Sequence, residues 1–303
     1  MLGIGGGGDV VGALAAARLC ESFGTECVLG GVTWERYAID PKPGPRALDE
    51  ISGGRPLGRR ALLADAETAT SDGVRFAESG MAAHLAAETV LIDVTGGPRG
   101  AAEGIAAATR ELGCDLVVYA DVGGDVLARG DEPGLASPLC DAVMLAAAVV
   151  ASDEAPALGA VFGAGCDGEL TPEEVLERIA ELGAAGGWLG TWGLTDAVAA
   201  EIEAAAGQVP TEASLQAVRC YRGETGEAEI RGGRRRVKLT PLGALTFFYD
   251  VRRAYDVSAP LARAVASADD LEAARKALAA LGIRTELDYE RERAGSDSAR
   301  RSS

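Results

Sequence analysis

Ile4-Gly5-Gly6-Gly7-Gly8-Asp9-Val10-Val11 joins one apolar segment to another through four glycines and an acid. Residues 1–4 read as a short buried strand and residues 10–22 as a helix. Between them a four-glycine run lets the chain turn sharply and leaves backbone N–H groups uncovered. Strand, glycine loop and helix in that order open an α/β unit. Gly3, Gly5 and Gly8 also match the spacing of the dinucleotide fingerprint, in which a helix N-terminus receives a phosphate.

Four further strand-like segments end in comparable loops. They are Thr33-Trp34-Glu35, Thr95-Gly96-Gly97-Pro98, Asp121-Val122-Gly123-Gly124-Asp125 and Gly163-Ala164-Gly165-Cys166-Asp167-Gly168-Glu169. In an open α/β sheet such loops gather at the carboxyl edge of the strands, where ligands bind.

Strands are expected at 26–32, 89–94, 115–120 and 156–162, with helices at 99–112 and 137–151. Thr171-Pro172-Glu173-Glu174 carries a capping box and a first-turn proline, and starts a helix that ends near Gly183. This alternation predicts a doubly wound, mostly parallel, Rossmann-like α/β sheet. Residues 40–60 read as a long loop and 62–78 as ambiguous. Beyond Gly183 the pattern changes. Residues 186–193 read as an aromatic and glycine loop. Helices follow at 195–206 and 211–221, then a hairpin at 228–239 and helices at 241–255 and 269–281. The expected division is an α/β ligand-binding core at 1–183, a mainly helical extension with a hairpin at 184–290 packed on that core, and a disordered tail at 291–303.

Composition excludes several classes of function. Of the 303 residues 46 are acidic and 29 basic, and only Lys42, Lys238 and Lys276 of the latter are lysines; the formal charge is −17. Such a surface repels nucleic-acid phosphates. No apolar run reaches a membrane span and no basic flank precedes the first strand, so a cytoplasmic protein without a membrane partner is expected. The single histidine, His84, rules out sites needing two or three imidazoles and makes a Ser or Cys triad a poor fit. The six cysteines form no Cys-x-x-Cys pair, and Cys166, beside Asp167 and Glu169, lies where a thiolate is disfavoured.

The chemistry therefore falls to carboxylates. Asp9 would cap the first helix or hold a divalent cation that bridges to phosphate. Asp121 and Asp125 flank two glycines after an apolar strand. Taken with Asp9 they suit Mg²⁺ or Mn²⁺, which prefer oxygen ligands. The candidate site is thus Asp121 and Asp125 as catalytic groups, Asp9 and Asp121 as metal ligands, and Gly5, Gly6, Gly7, Gly8, Asp9, Thr95, Gly96, Gly97, Gly123 and Gly124 around an anionic or nucleotide-like ligand. Ser137 reads as a helix cap. Arg231, Arg234, Arg235, Arg236 and Lys238 are the only basic cluster. They would reach an anion or pair with the chain's own surplus acids, and the surplus favours the second.

Residues 4–13 resemble the opening of a largely archaeal family known only as a domain of unknown function. So do Ala120-Asp121-Val122-Gly123-Gly124-Asp125-Val126-Leu127, Gly130-Asp131-Glu132 and Leu135-Ala136-Ser137-Pro138-Leu139. The resemblance implies that the two glycine-aspartate segments are family hallmarks and carries no activity with it. Three readings follow: a metal-assisted enzyme acting on a phosphorylated or nucleotide-like small molecule, a nicotinamide-nucleotide enzyme with Glu35 on the ribose, and a non-catalytic nucleotide sensor. The oligomeric state is left open.

Overall fold

The computed structural model describes residues 1–301. Strand β1 (Leu2–Gly3), helix α1 (Asp9–Ser22) and strand β2 (Gly30–Val32) form the opening unit. The long loop and the ambiguous stretch contain β3 (Ile51–Ser52), β4 (Arg55–Pro56), β5 (Ala61–Ala64) and β6 (Ala69–Thr70), followed by α2 (Ala77–Leu85). Then come β7 (Thr89–Ile92), α3 (Gly97–Leu112), β8 (Val117–Val122), α4 (Pro138–Ala151), β9 (Ala157–Phe162) and α5 (Pro172–Ala184). The predicted capping box is present: the Glu174 N–H donates to Thr171 Oγ1 at 3.2 Å and the Thr171 N–H to Glu174 Oε2 at 2.7 Å.

The remainder comprises β10 (Trp188–Gly193), α6 (Asp196–Ala206), α7 (Glu212–Tyr221), the hairpin β11 (Gly226–Ile230) and β12 (Arg235–Leu239), and β13 (Leu245–Asp250). Helices α8 (Val251–Val257), α9 (Pro260–Val265), α10 (Leu271–Ala280) and α11 (Glu286–Arg301) complete it. The main sheet has nine strands in the order β10-β13-β9-β8-β1-β2-β7-β5-β4. Its centre, β9 to β7, is parallel, and antiparallel strands flank it on both sides.

Period-2 alternation along β8 shows how the two faces are filled. Val117 and Tyr119 enter the core shared with α3, α4, α8, α9 and α10, whereas Val118, Ala120 and Val122 enter the core shared with α1, α6, α7 and the hairpin. Both faces of the sheet are therefore covered, as a doubly wound parallel sheet requires. Among the described residues, no helix is long and apolar enough to cross a membrane.

Three elements differ from the sequence reading. Residues 188–193 form an edge strand, not a loop, and leave Trp188 and Trp192 about half exposed. Residues 245–250 form a strand within the expected helix 241–255, because Phe247 and Tyr249 share one buried face at a spacing of two. Through β10 and β13 the C-terminal part thus joins the same sheet as the core. Finally, 286–301 is helical and anchored through Glu286 and Glu290, where a disordered tail was expected from 291. Residues 302–303 of that tail lie outside the described residues.

The strand assignment of β13 has a measurable consequence. Phe247→Ala removes a ring that is 4% exposed and should cost ~3–5 kcal/mol. Trp192→Ala, at 49% exposed, should cost far less. Equal shifts of the two urea midpoints would contradict the packing described.

Candidate functional site

Parallel topology places the ends of β1, β8 and β9 side by side, and the loops after them carry carboxylates into one buried rim. Asp9, Asp121 and Asp141 each bring an oxygen within 4.8 Å of the other two, and Asp125, Asp167 and Glu169 do the same. All six side chains are buried. The structure thus brings together Asp9, Asp121 and Asp125 from the sequence-predicted set, and adds three acids to them.

Asp9 is the first residue of α1 but not its cap. Its Oδ2 accepts the Gly5 N–H at 2.9 Å, while Gly8 occupies the cap position without a side-chain bond. Gly5 is required here: a Cβ on it would sit 2.6 Å from Asp9 Oδ2 and 3.2 Å from Asp141 Oδ2. Gly123 serves the second triad in the same way, since a Cβ would meet the Asp167 carboxyl at 2.2 Å.

The other predicted glycines have different neighbours. Gly6 faces the Trp34 carbonyl, Gly7 lies under the Arg36 stem, Gly8 packs on Thr211 and Gly124 on Val175. Because the Gly7 N–H donates to Trp34 O at 3.0 Å and the Gly5 N–H to Asp9, the loop is only in part open to a phosphate.

Thr95, Gly96 and Gly97 are not part of this rim. The Thr95 N–H and Oγ1 donate to Asp93 Oδ1, and the Arg60 Nη1–H donates to Thr95 Oγ1. Gly96 packs on Arg60 and Gly97 on the Asp270 backbone. This loop is a junction between the sheet and the C-terminal helices, so its placement does not support the predicted ligand role.

Burial penalises charge throughout the rim. It pushes the carboxyls of Asp121, Asp125 and Asp141 well above the usual range, and neighbouring acids add to the effect. Burial also raises Asp9 to about 6 and Asp167 to about 7. Glu169 is the exception. Its burial is outweighed by Arg235, Ser137, the Ala136 N–H and Arg36, which hold it at about 2.

The two triads consequently differ in what they can accept. Glu169 is saturated by the N–H groups of Ala136 and Ser137, the Ser137 hydroxyl and Arg235. Ser137 occupies the cap position of α4, as expected, but its hydroxyl donates to Glu169 and makes no capping bond. In the first triad, by contrast, Asp121 Oδ1 and Asp141 Oδ1 are buried with no hydrogen-bond partner. Orphaned buried carboxylate oxygens are costly.

Asp141 escaped the sequence reading, although an acid inside the apolar run 139–151 was a visible signal. Its position depends on a residue far along the chain. The Glu286 carboxylate accepts the Leu139 N–H at 3.0 Å and the Cys140 N–H at 2.7 Å, capping α4 in the place Ser137 leaves. Burial raises Glu286 to about 7.

Beside the rim opens a cleft of about 980 Å³. Gly7, Gly8, Asp9, Glu35 and Arg36 form one wall, α7 and the β11–β12 turn another. Burial opposes the charge of Arg36, but Asp9, Glu169, Glu286 and Asp125 outweigh it and hold the guanidinium charged. Glu35 accepts the Ala77 N–H at 2.5 Å, and burial raises its carboxyl to about 7.

Of the basic cluster, Arg236 pairs with Glu227 and Glu229 and Lys238 with Glu173, as the surplus of acids suggested. Arg231 and Arg235 also pair with an acid, Glu169, and together with Arg234 they line the cleft. Arg234 lies in the turn and not in the strand, so it does not share a strand face with Arg236 and Lys238. His84 ends α2 outside the cleft lining, and Cys166 is held protonated by its contact with Cys220 and by burial.

These titrations set a pH dependence. Asp9, Glu35, Asp167 and Glu286 all titrate higher in the folded than in the unfolded chain. Between the ordinary carboxylate range and about pH 7 the unfolded chain therefore releases protons that the folded one retains, and stability falls as pH rises. Glu169 acts oppositely, but only below its ordinary pKa. In chelator, the urea midpoint should be higher at pH 5 than at pH 7.5; a rise in midpoint toward pH 7.5 would contradict the buried-acid account.

A family model described as "Protein of unknown function (DUF1152)" matches residues 1–294. No curated protein and no solved structure matches the chain.

Proposed function

The chain belongs to the DUF1152 family, and we propose that its site is that of a metal-assisted enzyme acting on a phosphorylated or nucleotide-like small molecule. One observation carries this reading. Two fully buried carboxylate oxygens, Asp121 Oδ1 and Asp141 Oδ1, lack any partner, in a triad with Asp9 whose ligand atoms lie within 4.8 Å of one another.

An all-oxygen donor set of this kind suits Mg²⁺ or Mn²⁺, with waters and ligand oxygens completing the shell. Such a cation neutralises phosphate charge or polarises a P–O bond when bound. The chain's own groups do the rest. Arg36, beside Asp9, offers a planar donor fork to a phosphate. Asp125 lies beside Asp121, and burial followed by its acidic neighbours raises its carboxyl well above the usual carboxylate range, which favours the protonated form. It is the group we assign to proton transfer.

The metal-independent nicotinamide reading is weaker. Asp9 stands at the helix terminus that would receive the pyrophosphate, and the Gly5 N–H already bonds to it. Glu35 does line the cleft, as that reading requires. The sensor reading differs in predicting that the ligand is recovered unchanged.

Titrating the metal-free protein with Mg²⁺ and Mn²⁺ tests the proposal. A cation at a hundred times its Kd should stabilise the fold by ~2.7 kcal/mol. Asp121→Asn and Asp141→Asn should abolish that response and leave the metal-free protein at least as stable, because each removes a carboxyl whose ionisation burial and neighbouring acids oppose. Asp125→Asn should retain the metal response and lower any turnover by ~10²–10⁴. If the unsubstituted protein binds neither cation, with or without nucleotide, the proposal fails.

A further inference from the structure

A cation at the Asp9, Asp121 and Asp141 triad with one phosphate at Arg36 leaves Arg231, Arg234 and Arg293 of the cleft without a task. Arg235 is committed to Glu169 at 2.9 Å. Arg231 reaches the same carboxylate only at 4.0 Å. Arg234 donates to the Arg231 carbonyl at 2.9 Å, and Arg293 from α11 lies over the Tyr37 ring at 5.2 Å. Among the described residues no carboxylate lies within 4.0 Å of the Arg36, Arg234 or Arg293 guanidinium, although the chain carries 46 acids.

Arg36, Arg231, Arg234, Arg235 and Arg293 all line the cleft. Burial, and then Arg36 and Arg235, lower the pKa of Arg231, the mark of cations converging on one space. Convergence of guanidinium groups is unfavourable unless an anion joins them. The cleft, at about 980 Å³, is also far larger than a single phosphate needs.

We propose that the cleft binds a ligand with two adjacent phosphate groups, one at Arg36 beside the cation site and the second between Arg231 and Arg234 of the hairpin turn, with Arg293 closing over it. This rests on the metal reading for the first phosphate and on the arginines alone for the second. Ile39, Pro210, Leu215 and Ile230 give the same cleft an apolar portion that suits an organic moiety beyond the phosphates.

The test is calorimetric titration of the full chain with orthophosphate, AMP, inorganic pyrophosphate and ADP, each with and without Mg²⁺. Pyrophosphate and ADP should bind at least about tenfold more tightly than orthophosphate and AMP. A further gain of ADP over pyrophosphate assigns the apolar portion to a nucleoside, and equal affinity assigns recognition to the diphosphate alone. Arg234→Ala and Arg293→Ala remove exposed side chains and should each weaken the diphosphates about tenfold. The monophosphates and the Mg²⁺ response should stay unchanged.

Equal affinity for mono- and diphosphates, or no binding of any of the four, overturns this inference even where the Mg²⁺ response is intact. Absence of the Mg²⁺ response overturns the metal reading instead. The ratio of diphosphate to monophosphate affinity measured without metal then still decides the second phosphate position.

Discussion

Mutual repulsion among buried carboxylates is the constraint around which this molecule is arranged. Six acids converge at the ends of three neighbouring strands, in a setting where each unpaired charge is expensive. The surroundings offset that cost unequally. Glu169 is saturated with donors, Asp9 has the Gly5 N–H and the field of Arg36, and Asp121 and Asp141 retain oxygens with nothing to bond. A core optimised only for stability would not keep such groups. Their presence is what the proposed cation site rests on.

The glycines follow from the same constraint. At Gly5 and Gly123 the space of a side chain is taken by a carboxylate from elsewhere in the chain, Asp9 and Asp141 at one and Asp167 at the other. The glycine-aspartate segments are thus matched pairs, in which the glycine is small because the acid is near. The distal part of the chain completes the arrangement. Helix α11 caps α4 through Glu286, binds the Trp34 indole and the Gly44 N–H through Glu290, and sets Arg293 at the cleft. A local rearrangement of α11 would therefore reach Asp141 and the Arg36 loop together.

Much of this was legible in the linear chain, for identifiable reasons. Strands such as Val117–Val122 begin with a continuous apolar run, Val117 to Ala120, because both of their faces are covered, and helices such as Pro172–Ala184 carry their own caps. Asp9, Asp121 and Asp125 stood out because each adjoins glycines at a strand end. Strand β13 was read as helix because a six-residue segment flanked by helix formers carries little local signal; its pairing with β9 and β10 decides its state. Asp141 and Glu286 were missed because neither lies in a loop, and their meeting spans the length of the fold. Thr95-Gly96-Gly97 was over-read, since a strand-to-helix turn has the same glycines whether it faces a ligand or, as here, Asp270.

The parallel α/β core, the carboxyl-edge location of the acidic loops and the surplus of carboxylates over a single imidazole are properties of the linear chain, because they follow from local periodicity and composition. Which acids share a buried rim, which of their oxygens stay unpartnered and which arginines line the cleft emerge only once the chain is folded. Those properties depend on distances between segments that the chain order leaves free, and on the dielectric each group meets once the sheet, α4 and α11 close around it.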